Sequence, residues 1–169
     1  KKREVKKMGK ERNCDILVIG GGVSGIAAAV SAARSGMQTI LAEKDSFIGG
    51  VGYSGLLQHI CGLYLNGRAV PEETLNDGIV REVVNRLHQL SPRNKVKKIG
   101  QVYVLPYSGE DLASVFNSMC RAENKLSVML NATAVSVKKK GAKVIEAWLN
   151  MTGTAYKITP GILIDCSGD

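Results

Sequence analysis

No apolar run in these 169 residues approaches the roughly 20 consecutive residues that a membrane-crossing helix needs. Histidine and cysteine are scarce. Cys14, Cys61, Cys120 and Cys166 form no Cys-x-x-Cys pair and no zinc pattern with His59 or His88, so no metal is expected. Neither histidine sits in a recognisable set with a Ser or Cys and an acid, so no catalytic triad is visible and no catalytic residue is assigned. Cys14 and Cys166 lie at the edges of expected strands, where a free thiol behaves as a small hydrophobe. A reduced, cytoplasmic setting is expected. Cys61 differs, because it lies beside His59 in a glycine-rich region; a redox or nucleophilic role and plain packing both remain open for it.

Carboxylates are also in short supply. The 23 Lys and Arg outnumber the 15 Asp and Glu, a formal charge of +8, and the excess is unevenly placed. Residues 1–12 hold seven basic side chains against Glu4 and Glu11, so +5 sits in a short leader and +3 in all the rest. No apolar segment of the kind found in signal peptides follows these charges. The leader lacks aromatics, which favours a solvated tail or linker over a nucleic-acid contact. Hydrophobic content of 44% and charged content of 22% are ordinary for a globular protein. The expected organisation is a basic leader over 1–13 and one cofactor domain over 14–169, with a helical insertion at about 56–100. The chain starts without Met and stops directly after a strand, so it reads as a piece of a longer polypeptide.

What is abundant is glycine, and its placement organises the chain. Asp15–Ile19 reads as a short buried strand, Gly20-Gly21-Gly22-Val23-Ser24-Gly25 as a turn, and Ile26–Ala33 as a helix rich in alanine. In this Gly-x-Gly-x-x-Gly pattern Gly20 permits the sharp turn and Gly22 leaves room for a pyrophosphate. Gly25 lets the helix lie close to the sheet. The helix N-terminus offers unpaired N–H groups and a partial positive charge. Gly36 is placed to end the helix, and a second strand, Gln38–Glu43, ends in an acid 18 residues after Gly25. A carboxylate there suits the ribose hydroxyls of a dinucleotide and repels a 2′-phosphate, which disfavours NADP.

Four glycines between Gly49 and Gly55 predict a loop lying against something flat, and Leu56–Asn66 a short helix or irregular stretch. Pro71-Glu72-Glu73 predicts a helix start, with Ile79, Val83, Leu87 and Leu90 on its buried face and Ser91-Pro92 as its end. A basic connector over Arg93–Lys98 and a strand over Gln101–Pro106 precede a capping box at Ser108–Asp111. That box opens a helix to about Asn124 with Leu112, Val115, Phe116 and Met119 inward. From Leu126 the apolar period falls to two. Ser127–Asn131 is one strand, and Ala134–Lys138, Lys143–Asn150 and Thr154–Thr159 form an antiparallel meander. Gly161–Cys166 is a final strand running into Ser167-Gly168-Asp169. An ordinary NAD domain would return through a helix, whereas this chain returns through a meander.

At these residues the chain resembles the amino-terminal part of the FAD-dependent oxidoreductase family, within the glutathione-reductase-like superfamily and related to the heterodisulfide-reductase A and fumarate-reductase flavoproteins. The matching stretches are Asp15–Gly25, Glu43-Lys44, Phe47–Gly50 and Ile164–Asp169. The resemblance implies an α/β, Rossmann-like FAD/NAD(P)-binding domain, with a central parallel sheet and an antiparallel three-stranded meander crossover. It implies FAD held at the pyrophosphate by Gly20, Gly22, Val23, Ser24 and Gly25, and at the adenosine ribose by Glu43 with Lys44 beside it. Gly49, Gly50 and Val51 would follow the ribityl chain. Backbone near Ala134 would meet the adenine, and Gly168 and Asp169 the pyrophosphate and ribityl end.

The expected partners are a small-molecule substrate and an unidentified electron donor or acceptor. The remainder of the same polypeptide would complete the site. Of His59, Cys61 and Tyr64, one is a candidate for the substrate side. Two other readings stay open: a tRNA-modifying or other non-redox flavoprotein, and a non-catalytic dinucleotide-binding module.

Overall fold

The structure is a computed structural model that describes residues 9–56 and 58–168. The chain divides into two compact units, one from residues 1–48 and 120–169 and the other from residues 49–119.

The first unit is built on a six-stranded sheet in the order β6-β2-β1-β9-β8-β7. Its strands are β1 (Lys10–Ile19), β2 (Thr39–Ala42), β6 (Leu126–Met129), β7 (Ala132–Lys140), β8 (Lys143–Met151) and β9 (Thr154–Asp165), and helix α1 (Val23–Arg34) joins the first two. β6, β2, β1 and β9 run parallel, while β7, β8 and β9 form the expected antiparallel meander.

Two expectations change here. The meander's third strand and the final strand are one element: β9 runs unbroken through Pro160 and Gly161. β8 leaves β9 after Ile158, so the missing N–H of Pro160 removes no bond to β8. At Gly161 a Cβ would lie 2.8 Å from the Asp15 carbonyl oxygen, so glycine lets β1 and β9 stay in register.

The strand expected at Asp15 in fact begins at Lys10, and the leader boundary moves with it. Lys10–Asn13 pair with Tyr156–Thr159. Alternation explains this polar extension: Lys10 and Arg12 share a face and lie 5.7 and 5.8 Å from the Tyr156 ring, while Glu11 on the other face pairs with Lys157 at 2.6 Å. The first eight residues of the leader lie outside the described residues.

Period-2 alternation divides the core. Leu17, Ile40, Met129, Ala147, Leu149, Tyr156 and Ile158 form a buried cluster on one face. The register partners Val18 and Leu41 lie on the other, with the buried stripe Ile26, Ala29, Val30 and Ala33 of α1. Each fully buried aliphatic of this kind contributes about 1.5–3 kcal/mol. Gly36 ends α1 as expected, at φ +89°, with its N–H on the Ala33 carbonyl and the Met37 N–H on Ala32, a Schellman closure.

The second unit carries a three-stranded antiparallel sheet, β3 (His59–Ile60), β5 (Val102–Pro106) and β4 (Lys97–Ile99), with β5 central. Its helices are α2 (Val51–Ser54), α3 (Ile79–Leu90) and most of α4 (Gly109–Ala122). The expected insertion at 56–100 is thus a mixed segment rather than a helical one. The glycine-rich loop also holds a single helical turn, α2.

The helix expected from Pro71 starts eight residues later. The Leu75 N–H bonds the Leu63 carbonyl, the Thr74 hydroxyl bonds the Asn76 carbonyl, and Gly78 sits at φ +71°, which together hold residues 74–78 off helical geometry. Of the expected stripe, Val83 and Leu87 are buried with Val84, whereas Leu90 is half exposed. In α4 the stripe Leu112, Val115, Phe116 and Met119 is buried as expected. Ser108 caps α4 through its hydroxyl on the Asp111 N–H at 3.0 Å. The Asp111 carboxylate accepts from the buried Asn94 amide, which also donates to the Leu87 carbonyl near the end of α3.

Candidate functional site

In the first unit, the carboxyl ends of β2, β1 and β9 lie side by side, because Ala42, Ile19 and Asp165 are the register-matched ends of neighbouring parallel strands. That is where an open parallel sheet offers a crevice. A cavity of about 340 Å³ lies there. Ile19, Gly20, Ala42, Glu43 and Lys44 form one part of its wall, and Ala132–Ala134, Val137, Leu163, Asp165 and Ser167 the rest.

The glycine turn is built as its spacing predicts. Gly20 has φ +100°, and a Cβ on it would overlap the Cys166 carbonyl. A Cβ on Gly25 would overlap the Gly20 carbonyl, so this buried residue sets how closely α1 approaches the turn. Gly22 is the N-cap of α1 at φ −72°, no side chain caps the helix, and a Cβ added there meets nothing within 4 Å. The first N–H groups of a helix have no intrahelical partner, and the space above Gly22 is open.

Glu43 is 7% exposed and its carboxylate is already engaged. Oε2 accepts the buried Gly21 N–H, and Oε1 accepts the Asp45 N–H at 2.8 Å. A carboxylate offers about four lone-pair positions, so two remain for hydroxyl donors. Across the glycine turn, Asp165 Oδ1 accepts both the Ser167 N–H at 3.0 Å and the Ser167 hydroxyl at 2.7 Å. These bonds hold the Asp165 carboxyl below the usual range. The Cys166 N–H meanwhile bonds the Ile19 carbonyl, extending the β1–β9 ladder past the strand end.

Of the residues singled out in the sequence, the structure brings Gly20, Glu43, Lys44 and Ala134 to this one cavity, with Gly22, Val23, Ser24 and Gly25 in the turn that follows Gly20. Gly168, at φ +70°, follows Ser167, and Asp169 lies outside the described residues. Gly49, Gly50 and Val51 belong to the second unit. There Gly49 and Gly50 take φ of +113° and +52° to start α2.

His59, Cys61 and Tyr64 also belong to the second unit: His59 and Cys61 are exposed, and Tyr64 is packed inside with its hydroxyl unbonded. Among the described residues no group of His, Cys, Asp or Glu could hold a metal. No described helix is long and apolar enough to cross a membrane.

Several wall residues carry no motif. Ala132, Thr133 and Val137 reach the cavity from β7, where the register against β8 shifts between Ala134 and Ser136. Such a bulge re-aims side chains and is invisible to a period-2 reading. Asp165 and Ser167 lie within the Ile164–Asp169 match, but only the fold shows that they clamp one another.

A parallel sheet with an uncapped glycine turn at its carboxyl edge, and an acid ending the next strand, defines a dinucleotide-binding domain. Residues 15–169 match the FAD dependent oxidoreductase family, and the chain belongs to that family, whose cofactor is FAD. Over 44 residues the chain is 48% identical to 4-oxocyclohex-2-ene-1-carboxylate 5-dehydrogenase of Sinomonas cyclohexanicum, covering 26% of this chain and 8% of that protein. THI4 of Thermovibrio ammonificans shares the fold at TM-score 0.64 and 18% identity, over 92% of this chain and 58% of that one. The anhydrotetracycline hydroxylase OxyS of Streptomyces rimosus does so at TM-score 0.66 and 11% identity, over 93% of this chain and 32% of that one. The chain therefore spans less than two thirds of each of these proteins.

Proposed function

We propose that this chain supplies the FAD-holding part of a larger flavin-dependent oxidoreductase that acts on a small-molecule substrate. The observation that carries the reading is the uncapped start of α1, open above Gly22, beside a cavity walled by Glu43 and Asp165. The flavin, when bound, supplies the electron or hydride transfer. The chain's own residues bind and orient it.

N–H groups of Gly22, Val23 and Ser24 hold the pyrophosphate, with Gly20 and Gly25 shaping the turn. The free lone pairs of Glu43 accept the adenosine ribose hydroxyls, with Lys44 beside them. The β7 backbone at Ala134 faces the adenine. Gly168 approaches the pyrophosphate from the β9 side. The cavity is at the lower end of the roughly 300–1,000 Å³ range of ligand pockets, which suits one half of a dinucleotide better than the whole. Gly49, Gly50, Val51 and Asp169 are assigned ribityl and pyrophosphate contacts on their place in the sequence alone. The substrate side and the electron partner are assigned to the rest of the polypeptide.

Four unpaired cysteines support a reducing compartment, the cytoplasm. Lys10 and Arg12 are taken up by Tyr156, which lends no support to a nucleic-acid role for that part of the basic run.

The test is the visible spectrum of the full-length protein, followed by chromatography of what denaturation releases. FAD is expected; a colourless protein that releases NAD, or that takes up no added FAD, overturns the reading. Gly22→Ala sharpens it. The new methyl meets no protein atom and φ is ordinary, so the cofactor-free protein keeps its wild-type melting temperature while FAD affinity falls at least tenfold. Equal affinity would show that no ligand approaches Gly22.

A further inference from the structure

We propose that Asp165 is a positioning residue for the FAD site: its carboxylate fixes the Cys166–Gly168 turn against the glycine turn before any cofactor arrives. The proposal rests on the FAD reading above and assigns a role to a residue that has none in it.

Asp165 is the last residue of β9, register-matched to Ile19. The next residue, Cys166, closes one more rung on β1 through its N–H to the Ile19 carbonyl. Its own carbonyl oxygen then lies 2.4 Å from where a Cβ on Gly20 would be. The glycine turn and the β9 exit are therefore packed against each other, backbone on backbone, and a shift in one displaces the other.

Beyond that rung, local bonds at Asp165 hold the exit. Asp165 Oδ1 accepts the Ser167 N–H and hydroxyl, the bonding of an Asx turn. Gly168 follows at φ +70°. Asp165 Oδ2 has no partner among the described residues, and Asp165 lines the cavity.

Glu43 does the same across the turn, gripping the Gly21 N–H from the β2 side. The two carboxylates flank β1 and hold the two loops between which a diphosphate would lie. Neither carboxylate needs the ligand to do so.

The experiment compares Asp165→Ala, Asp165→Asn and Ser167→Ala in the full-length protein, reading FAD affinity by flavin fluorescence titration and Ser167 amide protection by hydrogen exchange without cofactor. The asparagine oxygen can still close the Asx turn. Asp165→Ala is expected to lose Ser167 protection and to weaken FAD binding by about five- to tenfold, the scale of one net hydrogen bond. Asp165→Asn is expected to stay within about twofold of wild type on both readouts, because an Asx turn accepts either side chain. Ser167→Ala keeps the N–H bond and should fall between.

Wild-type affinity in Asp165→Ala overturns the proposal. So does an Asp165→Asn variant that loses as much as Asp165→Ala, since the charge would then matter and not the turn. If wild-type protein takes up no FAD, the cofactor reading fails. The exchange readout still judges the clamp, which is overturned if the Ser167 amide is unprotected in wild type.

Discussion

Replacing Glu43 with Gln tests the site where it joins the fold. The carboxylate is 7% exposed and accepts two backbone N–H groups, one of them on the buried Gly21. The glutamine amide has one acceptor oxygen, so one N–H keeps a weakened bond and the other faces an NH₂ donor. Losing one charge-assisted bond and stranding one buried donor costs about 2–3 kcal/mol. Against the 5–15 kcal/mol that holds a typical domain, that is a sizeable fraction.

The assay is urea unfolding of this chain without cofactor, followed by the fluorescence of its one tryptophan, Trp148, which lies in β8 of the same unit. With a urea slope of about 2 kcal/mol per molar, the midpoint should fall by about 1–1.5 M. FAD affinity should fall as well. If the cofactor-free midpoint is unchanged and affinity alone drops, Glu43 serves only the ligand and the clamp described here does not hold the turn.

Gly20→Ala should behave opposite to Gly22→Ala. It forces a side chain into φ +100° and into the Cys166 carbonyl, so the cofactor-free domain should lose about 3 kcal/mol or more, read as a lower melting temperature and poor soluble yield. Full stability in Gly20→Ala would refute the close packing of β9's exit on the turn. Cys14 and Cys120 should resist alkylation at pH 8 while the exposed Cys61 reacts first, because burial pushes both thiols up from 9.0 to about 11. These acids are favoured in their neutral form by folding. Their contribution to stability is therefore complete below pH 9 and is lost as pH rises toward 11, which alkaline melting curves would show; mass-spectrometric labelling of Cys14 ahead of Cys61 would contradict the burial.

The glycine turn, α1, its Gly36 ending and the strand leading to Glu43 were legible because each rests on a local backbone demand that few residues meet. The stripe of α4 was legible for the same kind of reason, since helical spacing and burial agree at Leu112, Val115, Phe116 and Met119. What escaped the sequence depends on distant partners. Pro71-Glu72-Glu73 carries a sound helix-start signal, but the Leu75–Leu63 bond and Gly78 override it. Pro160-Gly161 looks like a strand break, yet β8 has already ended and β1 needs a residue without a Cβ. The wall residues Thr133 and Val137 depend on a bulge. The Asp165–Ser167 clamp could have been suspected from an Asp two residues ahead of a Ser, a common turn signal, but nothing local says it opens on a cavity.

β9 is one strand with two duties, and that fixes an order of events during folding. β1 begins at Lys10 and its neighbour on that side begins at Thr154, so about 140 residues must leave the ribosome before the two can meet. Until then β1 has only β2 on one side, and its other edge, carrying Cys14 to Ile19, is open to any extended chain nearby. The contiguous second unit, residues 49–119, can make its own contacts during that interval. Contacts this remote in sequence are the slow step of a fold. The closing of β9 beside β1 is therefore the point at which the cavity is first walled on that side, and the unpaired β1 edge before it is open to misassembly.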